Sequence, residues 1–362
     1  MSDWPELTLD RDHETLAVLH LASQMLGKIR VAHAPWVNHG WHVALQPVAN
    51  GFETLPTAAG DGRTFTLRLD LCEHAIVLWV SDETREQLPL EIGSVAELHA
   101  QLIAMLDRNG LPSSFNGRPN EIEGAVAFRD DRTPRQYSRD SANRLRQSFA
   151  AMLPIFERFR AGFAGKSSPA HLWWGSFDLA VSRFNGRKAP PHGGGMPGLP
   201  DRITREAYSD EVASGGFWAS GAAASEPFFY SYIYPEPAGY RSAGVTHGRF
   251  DETYGEFVLP YAEVRAATDP ERVLGRFLQS AYEAAANLAH WDSPAWSGNP
   301  LRPNRRLSVA ALMAETGEHC RGTPPAALSS FWGARIAGTI RLTGSDHSMC
   351  GWSFATCGSP AG

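Results

Sequence analysis

The sequence is poor in cysteine, carries no excess of positive charge, and has neither a long apolar run nor a common catalytic signature. Cys72 is the only cysteine in the first 319 residues, so that part holds no internal disulfide. Cys320, Cys350 and Cys357 follow no zinc-ligand spacing. Such usage fits a reducing cytosol. A formal charge of -6 and a pI near 6.1 argue against broad phosphate neutralisation, and so against a nucleic-acid partner. The opening Met1-Ser-Asp-Trp-Pro-Glu6 has neither the cationic nor the apolar stretch of a secretory signal. No run of about twenty uncharged apolar residues would span a membrane. The expectation is a cytoplasmic protein without a membrane partner. HExxH, paired CxxC, the facial triad, GxSxG and the P-loop are all absent, so reaction, metal and cofactor stay unassigned, as does the oligomeric state.

What is present is a large apolar fraction, 43% of 362 residues, with 11 Trp and 18 Phe, enough for one large core or two ordinary ones. Apolar spacing predicts a helix over 12–28, then strands over 30–38 and 41–48. A hairpin over 63–71 and 75–81 follows, then a short strand over 85–90. Ser94 caps a helix over 95–109. The second half opens with a helix over 141–162, kinked or restarted at Pro154. Strands are expected over 170–184, 208–213, 228–234 and 256–259, and Asp269-Pro270 starts a last helix ending near 289. The predicted fold class is α+β. Antiparallel strands from two related helix–strands–helix halves, 1–135 and 136–296, pack against helices as one globular unit. Gln87-Leu-Pro-Leu90 and Val258-Leu-Pro-Tyr261 each precede a helix, which suggests internal duplication; chance recurrence of a common element order is the plainer alternative. Residues 297–362 mix Gly, Ser, Pro and Arg without periodicity and are expected to form a poorly ordered, dispensable tail.

Several segments together resemble one family. They are Gly27-Lys-Ile-Arg30, Asn38-His-Gly-Trp-His-Val43, Trp174-Gly-Ser-Phe-Asp-Leu-Ala-Val181, Arg187-Lys-Ala-Pro-Pro-His192, Arg205-Glu-Ala-Tyr-Ser209 and Tyr230-Ser-Tyr-Ile-Tyr-Pro-Glu236. The chain resembles, over about residues 3–292, the bacterial family known as domain of unknown function 5996. The resemblance implies no activity and no catalytic residues. It leaves residues 297–362 outside, as an extension or an out-of-frame read, and it leads to a His where this chain has Asp210.

Candidate site residues come from these segments. His39 and His42 flank Gly40 and Trp41; a bend there would let two imidazoles converge on a metal, whereas a carbonyl-bonded His beside a surface His is the plainer reading. In a regular strand, His171 and Asp178 would face opposite ways, and a bulge at Gly175 would bring them together. Asp178, flanked by Phe177 and Leu179, needs a partner; Arg183 or Arg187 would clamp it, unless it works as an acid/base. The Pro190-Pro-His192-Gly-Gly-Gly195 turn offers backbone N–H groups to an anion beside Arg187, or is a plain surface turn. Phe228, Tyr230, Tyr232 and Tyr234 share a face, for ligand stacking or sheet packing. Glu211 is a second acid/base candidate. The reading that unites them is an enzyme-like protein whose cleft takes a small polar or aromatic ligand. Asp178, Glu211 and His171 would do chemistry there, and His39, His42, Trp41, Trp174, Arg187, His192 and Tyr232 would bind. The alternative is a non-catalytic binder with structurally paired polar groups. Duplication further predicts that the imidazoles of His39 and His171 approach each other.

Overall fold

The computed structural model describes residues 4–196, 198–219 and 226–291. The chain divides into two units, 1–303 and 304–362, and every described residue lies in the first. The tail expected over 297–362 therefore lies outside the described residues.

Helix α1 (Leu9–His33) is longer than its spacing predicts, and the expected strand over 30–38 does not form. From Leu21 to Arg30 every residue is buried, so the helix runs through the core and shows no polar side there. Arg30 is tolerated because its guanidinium donates to the carbonyls of His42 (3.0 Å) and Pro56 (2.7 Å). Strands β1 (Gln46–Val48), β2 (Gly51–Glu53), β3 (Thr57–Ala58), β4 (Thr64–Asp70), β5 (Ala75–Val80) and β6 (Arg85–Pro89) follow. They form one antiparallel sheet in the order β1-β2-β4-β5-β6, with β3 beside β4. Helix α2 (Val95–Arg108) begins where Ser94 accepts the Glu97 N–H.

After an irregular connector, α3 (Arg139–Ala161) runs through Pro154 as a single helix. Next come β7 (His171–Trp173), β8 (Asp178–Lys188), α4 (Asp201–Ala207), β9 (Asp210–Trp218), β10 (Phe228–Tyr234), β11 (Arg249–Asp251), β12 (Glu256–Pro260), α5 (Tyr261–Ala266) and α6 (Pro270–Leu288). The second sheet is antiparallel too, ordered β11-β12-β10-β9-β8-β7. Leu45 and Leu172 exchange backbone hydrogen bonds of 2.9 and 3.0 Å and so join the two sheets edge to edge. The fold class is α+β, and the order long helix, antiparallel sheet, helix occurs twice. Among the described residues no helix is long and apolar enough to cross a membrane.

The second sheet has two unlike faces. Leu179, Val181, Phe217, Phe229 and Leu259 turn inward with α3 and α6, whose Phe159 and Leu278 crowd Gly215. The other face carries Asp178, Trp218, Tyr230 and Tyr232, and its apolar residues form a small separate cluster with Phe228, Val258 and Tyr254. This second face positions the candidate site.

Candidate functional site

The run expected as one strand over 170–184 is a hairpin. The chain turns over residues 174–177, with Phe177 in the left-handed region at φ 61°, and Trp173 comes to lie opposite Asp178. His171 lies opposite Ala180, so His171 and Asp178 do share a face, through a chain reversal and not a bulge. Asp178 is 5% exposed and no arginine reaches it. The Ser176 hydroxyl donates to one carboxylate oxygen and the Tyr230 hydroxyl to the other. Tyr230 gets there by lying across Gly216 of β9, where a β-carbon would fall on its ring. Burial raises the Asp178 carboxyl above its ordinary value, against the two hydroxyl donors.

Tyrosines wall the face. Tyr230 and Tyr232 stack with centroids 6.0 Å apart, and Tyr208 donates to the Tyr232 hydroxyl at 3.0 Å. His192 stacks on Tyr208 at 4.8 Å and lies 5.1 Å from Tyr234. Burial pushes Tyr208 up to about 12 and the phenols of Tyr230 and Tyr232 well above the ordinary range, so all three keep their protons.

Two further carboxyls belong to this site, and the sequence reading missed both. Glu121 comes from the connector and presses against Gly175, where a β-carbon would meet its carboxylate. Glu256 opens β12. Both are half-buried, and no described residue donates a hydrogen bond to either carboxyl. Burial, then the charge of Asp178, raises Glu121 to about 7 and Glu256 to about 8. Gln24 of α1 holds both sides of this arrangement. Its amide N–H donates to Asn120 O (2.8 Å) and Gly175 O (3.2 Å), and its carbonyl accepts the Asn120 N–H at 2.7 Å.

Other expected residues lie elsewhere. Glu211 is on the helix-packed face, where one carboxylate oxygen accepts from Arg187 (2.8 Å), Asn185 (2.6 Å) and the Trp291 indole (2.9 Å). Arg187 thus clamps Glu211, not Asp178. Arg183 is buried between the rings of Phe159 (3.5 Å) and Tyr282 (4.3 Å), with its value lowered to about 9 by burial. Trp174 packs onto Gly27 of α1 and donates to Val43 O at 2.9 Å, so it is core and not a cleft wall. His171, on the Asp178 face, stays in the interior, lowered to about 4 by burial against a backbone hydrogen bond at Pro169. In the 190–195 turn, His192 Nδ1 and Asp201 accept the Gly194 and Gly195 N–H groups, which occupies the amides an anion would need.

His39 sits in a 3-10 turn over Asn38–Gly40 and His42 in the turn that follows, and their rings make separate contacts. His42 Nδ1 accepts the Val37 N–H at 3.2 Å and the ring packs on Trp36. His39, at φ 60°, has Nδ1 3.2 Å from Ala207 O. A carbonyl only accepts, so Nδ1 carries the proton and Nε2 accepts from Lys166 Nζ at 2.7 Å. Trp41 lies under Lys166 at 5.5 Å, and Asp210 bonds Lys188 and Lys166. Among the described residues no ring contact or hydrogen bond joins His39 to His171; the His39 ring lies against Phe184 and the His171 ring against Trp173. Among the described residues no group of three or more His, Cys, Asp or Glu side chains is placed to hold a metal ion.

A family of unknown function, DUF5996, has a sequence profile that matches residues 4–297, most of the chain. The chain belongs to that family. No curated protein and no solved structure matches it. Of the segments that carried the resemblance, three supply Ser176, Asp178, Tyr208, Tyr230 and Tyr232 to the face described above, and a fourth supplies His192.

Proposed function

We propose that the tyrosine–carboxyl face is an acid/base site for a small polar ligand, with Glu121 and Glu256 exchanging protons and Asp178 fixed beneath them. One observation carries this reading. Asp12, Asp131, Asp210 and Glu211 each face an Arg or Lys, whereas Asp178, Glu121 and Glu256 share one face without a cation. Holding carboxyls together uncompensated costs free energy, and a ligand bearing N–H or O–H donors would relieve that cost. Carboxyls near 7 and 8 hold a proton part of the time at neutral pH, which is what general acid/base work requires. Tyr208, Tyr232 and His192 would wall the ligand. The non-catalytic binder remains the second reading, favoured by the two hydroxyl donors that lock Asp178. The single cysteine of the first 319 residues supports a cytoplasmic location, and the acidic charge weighs against a nucleic-acid partner.

The test is a thermal-shift screen of small amines, polyols and phenols against wild type and the Glu121→Gln, Glu256→Gln and Asp178→Asn variants. Compounds that stabilise wild type should lose their effect in at least one Gln variant. Catalysis predicts turnover of such a compound that vanishes also in a Gln variant that still binds it; binding to wild type without turnover supports the second reading. Ligand shifts that survive all three substitutions would remove the site from this face.

A further inference from the structure

Glu121 lies in a stretch without regular structure between α2 and α3, yet it reaches the centre of the tyrosine–carboxyl face. Its backbone is in the left-handed region at φ 57°, which a non-glycine residue adopts at a cost, and Gly124 three residues on is there too at φ 64°. Pro119 is buried and Ile122 packs against the core, but the hydrogen bonds that tie this stretch to the rest of the chain are few and gather at one residue. Asn120 exchanges both its backbone groups with Gln24, its side-chain carbonyl accepts from Lys28 Nζ, and its side-chain N–H donates to Gly198 O at 2.7 Å. Beyond that, Gly117 O accepts the Phe128 N–H at 2.8 Å. Glu121 itself contributes no hydrogen bond to the docking. Its carboxyl is lodged against Gly175 within electrostatic reach of Asp178, so docking places an unpartnered acid beside another acid.

We propose that the 116–124 segment is a flap over the tyrosine–carboxyl face, docked while the Glu121 carboxyl holds its proton and released when that carboxyl ionises. This deepens the acid/base reading above by giving the same site a regulator. The charged and titratable groups around Glu121 set the sign. From β8 comes Asp178, from β12 Glu256, and from the chain before β9 and from β10 the hydroxyls of Tyr208, Tyr230 and Tyr232, which stay neutral. From α1 come His20, lowered to about 4 by burial and therefore neutral, and Lys28, lowered to about 8 by burial. The flap's own Arg118 bonds Ala125 O. Ionised Glu121 thus meets negative charge on the sheet side, and the one nearby lysine is engaged with Asn120.

Linkage gives the window. Docking raises the Glu121 carboxyl from 4.5 to about 7, so the docked state binds the proton more tightly. Docking is strongest below 4.5 and weakens by up to about tenfold per pH unit until about 7, some 300-fold in all, then levels off. Lys28 has the opposite sign. A lysine lowered by docking strengthens docking as pH rises from about 8 towards 10.5.

The experiment is hydrogen exchange of the full chain without ligand, read at the Asn120 amide as a protection factor between pH 5 and 8. Wild type should lose protection from pH 5 to 7 and then plateau. Glu121→Gln should keep its pH 5 protection at pH 7, and Lys28→Met should keep the wild-type slope. If Glu121→Gln does not fold, Asp178→Asn serves instead, and the midpoint of the wild-type loss should move to lower pH. Protection independent of pH in wild type, a wild-type slope in Glu121→Gln, or an unmoved midpoint in Asp178→Asn would overturn the flap. Because no ligand is used, a flat exchange profile beside intact ligand binding defeats the flap alone. A responsive profile beside absent binding defeats the ligand site alone.

Discussion

Asp178 has its character because of a residue with no side chain. Tyr230 starts on β10, two strands away from Asp178, and its ring spans the gap only because Gly216 leaves β9 flat beneath it. Gly216→Ala would push the ring off, leave Asp178 with Ser176 as its one hydroxyl donor and strain the small aromatic cluster around Trp218. The expected loss is about 1–3 kcal/mol, the usual cost of overpacking a filled site. Urea unfolding of the variant checks it, and an unchanged midpoint would mean that Tyr230 has room to move without loss. Asp178, Tyr232 and His192 were legible at this scale, because an acid and aromatic rings in strand-like and turn-like segments mark themselves. Glu121 was not. It sits in a connector without periodicity, and its place is set by Gln24, 96 positions from the Asn120 that it holds. Glu256 was placed only as the start of a strand, because nothing in its own segment shows that Asp178 is near.

Helices read from a side-chain cap begin where expected, whereas Pro154, expected to kink or restart a helix, does not interrupt α3. Ser94 accepts the Glu97 N–H and Asp269 the Arg272 N–H, and α2 and α6 begin as their caps predict. The β7–β8 hairpin was hidden, because Trp173, Trp174, Phe177 and Leu179 keep the apolar content continuous through the reversal. Helix α1 was cut short for a related reason: a helix buried on all sides has no polar face to mark its phase. Its fit depends on Gly27, whose missing side chain receives the Trp174 indole. Alanine is the better helix former by about 1 kcal/mol. Even so, Gly27→Ala should destabilise by about 1–3 kcal/mol, since the new methyl would displace the indole and break its bond to Val43 O. A melting temperature at or above wild type would show that α1 and the hairpin can separate at no cost.

At the scale of the whole molecule, the buried acids and the buried histidines pull stability in opposite directions with pH. Glu121 and Glu256 are raised from 4.5 to about 7 and about 8, so each removes stability as pH climbs through that interval. His20 and His171 are lowered by burial from 6.5 to about 4, so each adds stability as pH climbs from 4 to 6.5. Between pH 4.5 and 6.5 the two sets oppose each other, with His42, His74 and His99 adding to the rising set and Asp178 to the falling one, so wild type should change little there. Above 6.5 the histidines have nothing more to add and the glutamates continue, so wild type should lose about 1–3 kcal/mol by pH 8, allowing for their partial exposure to water. The Glu121→Gln/Glu256→Gln double variant removes the falling pair and leaves the histidines uncovered. Its stability should climb from pH 4.5 to 6.5 and then hold level to 8, crossing above wild type. Urea midpoints at pH 4.5, 5.5, 6.5 and 8 distinguish the two profiles. A wild type that grows more stable up to pH 8 would show that its acids are ionised and satisfied in the fold, and the uncompensated carboxyl face would lose its physical basis.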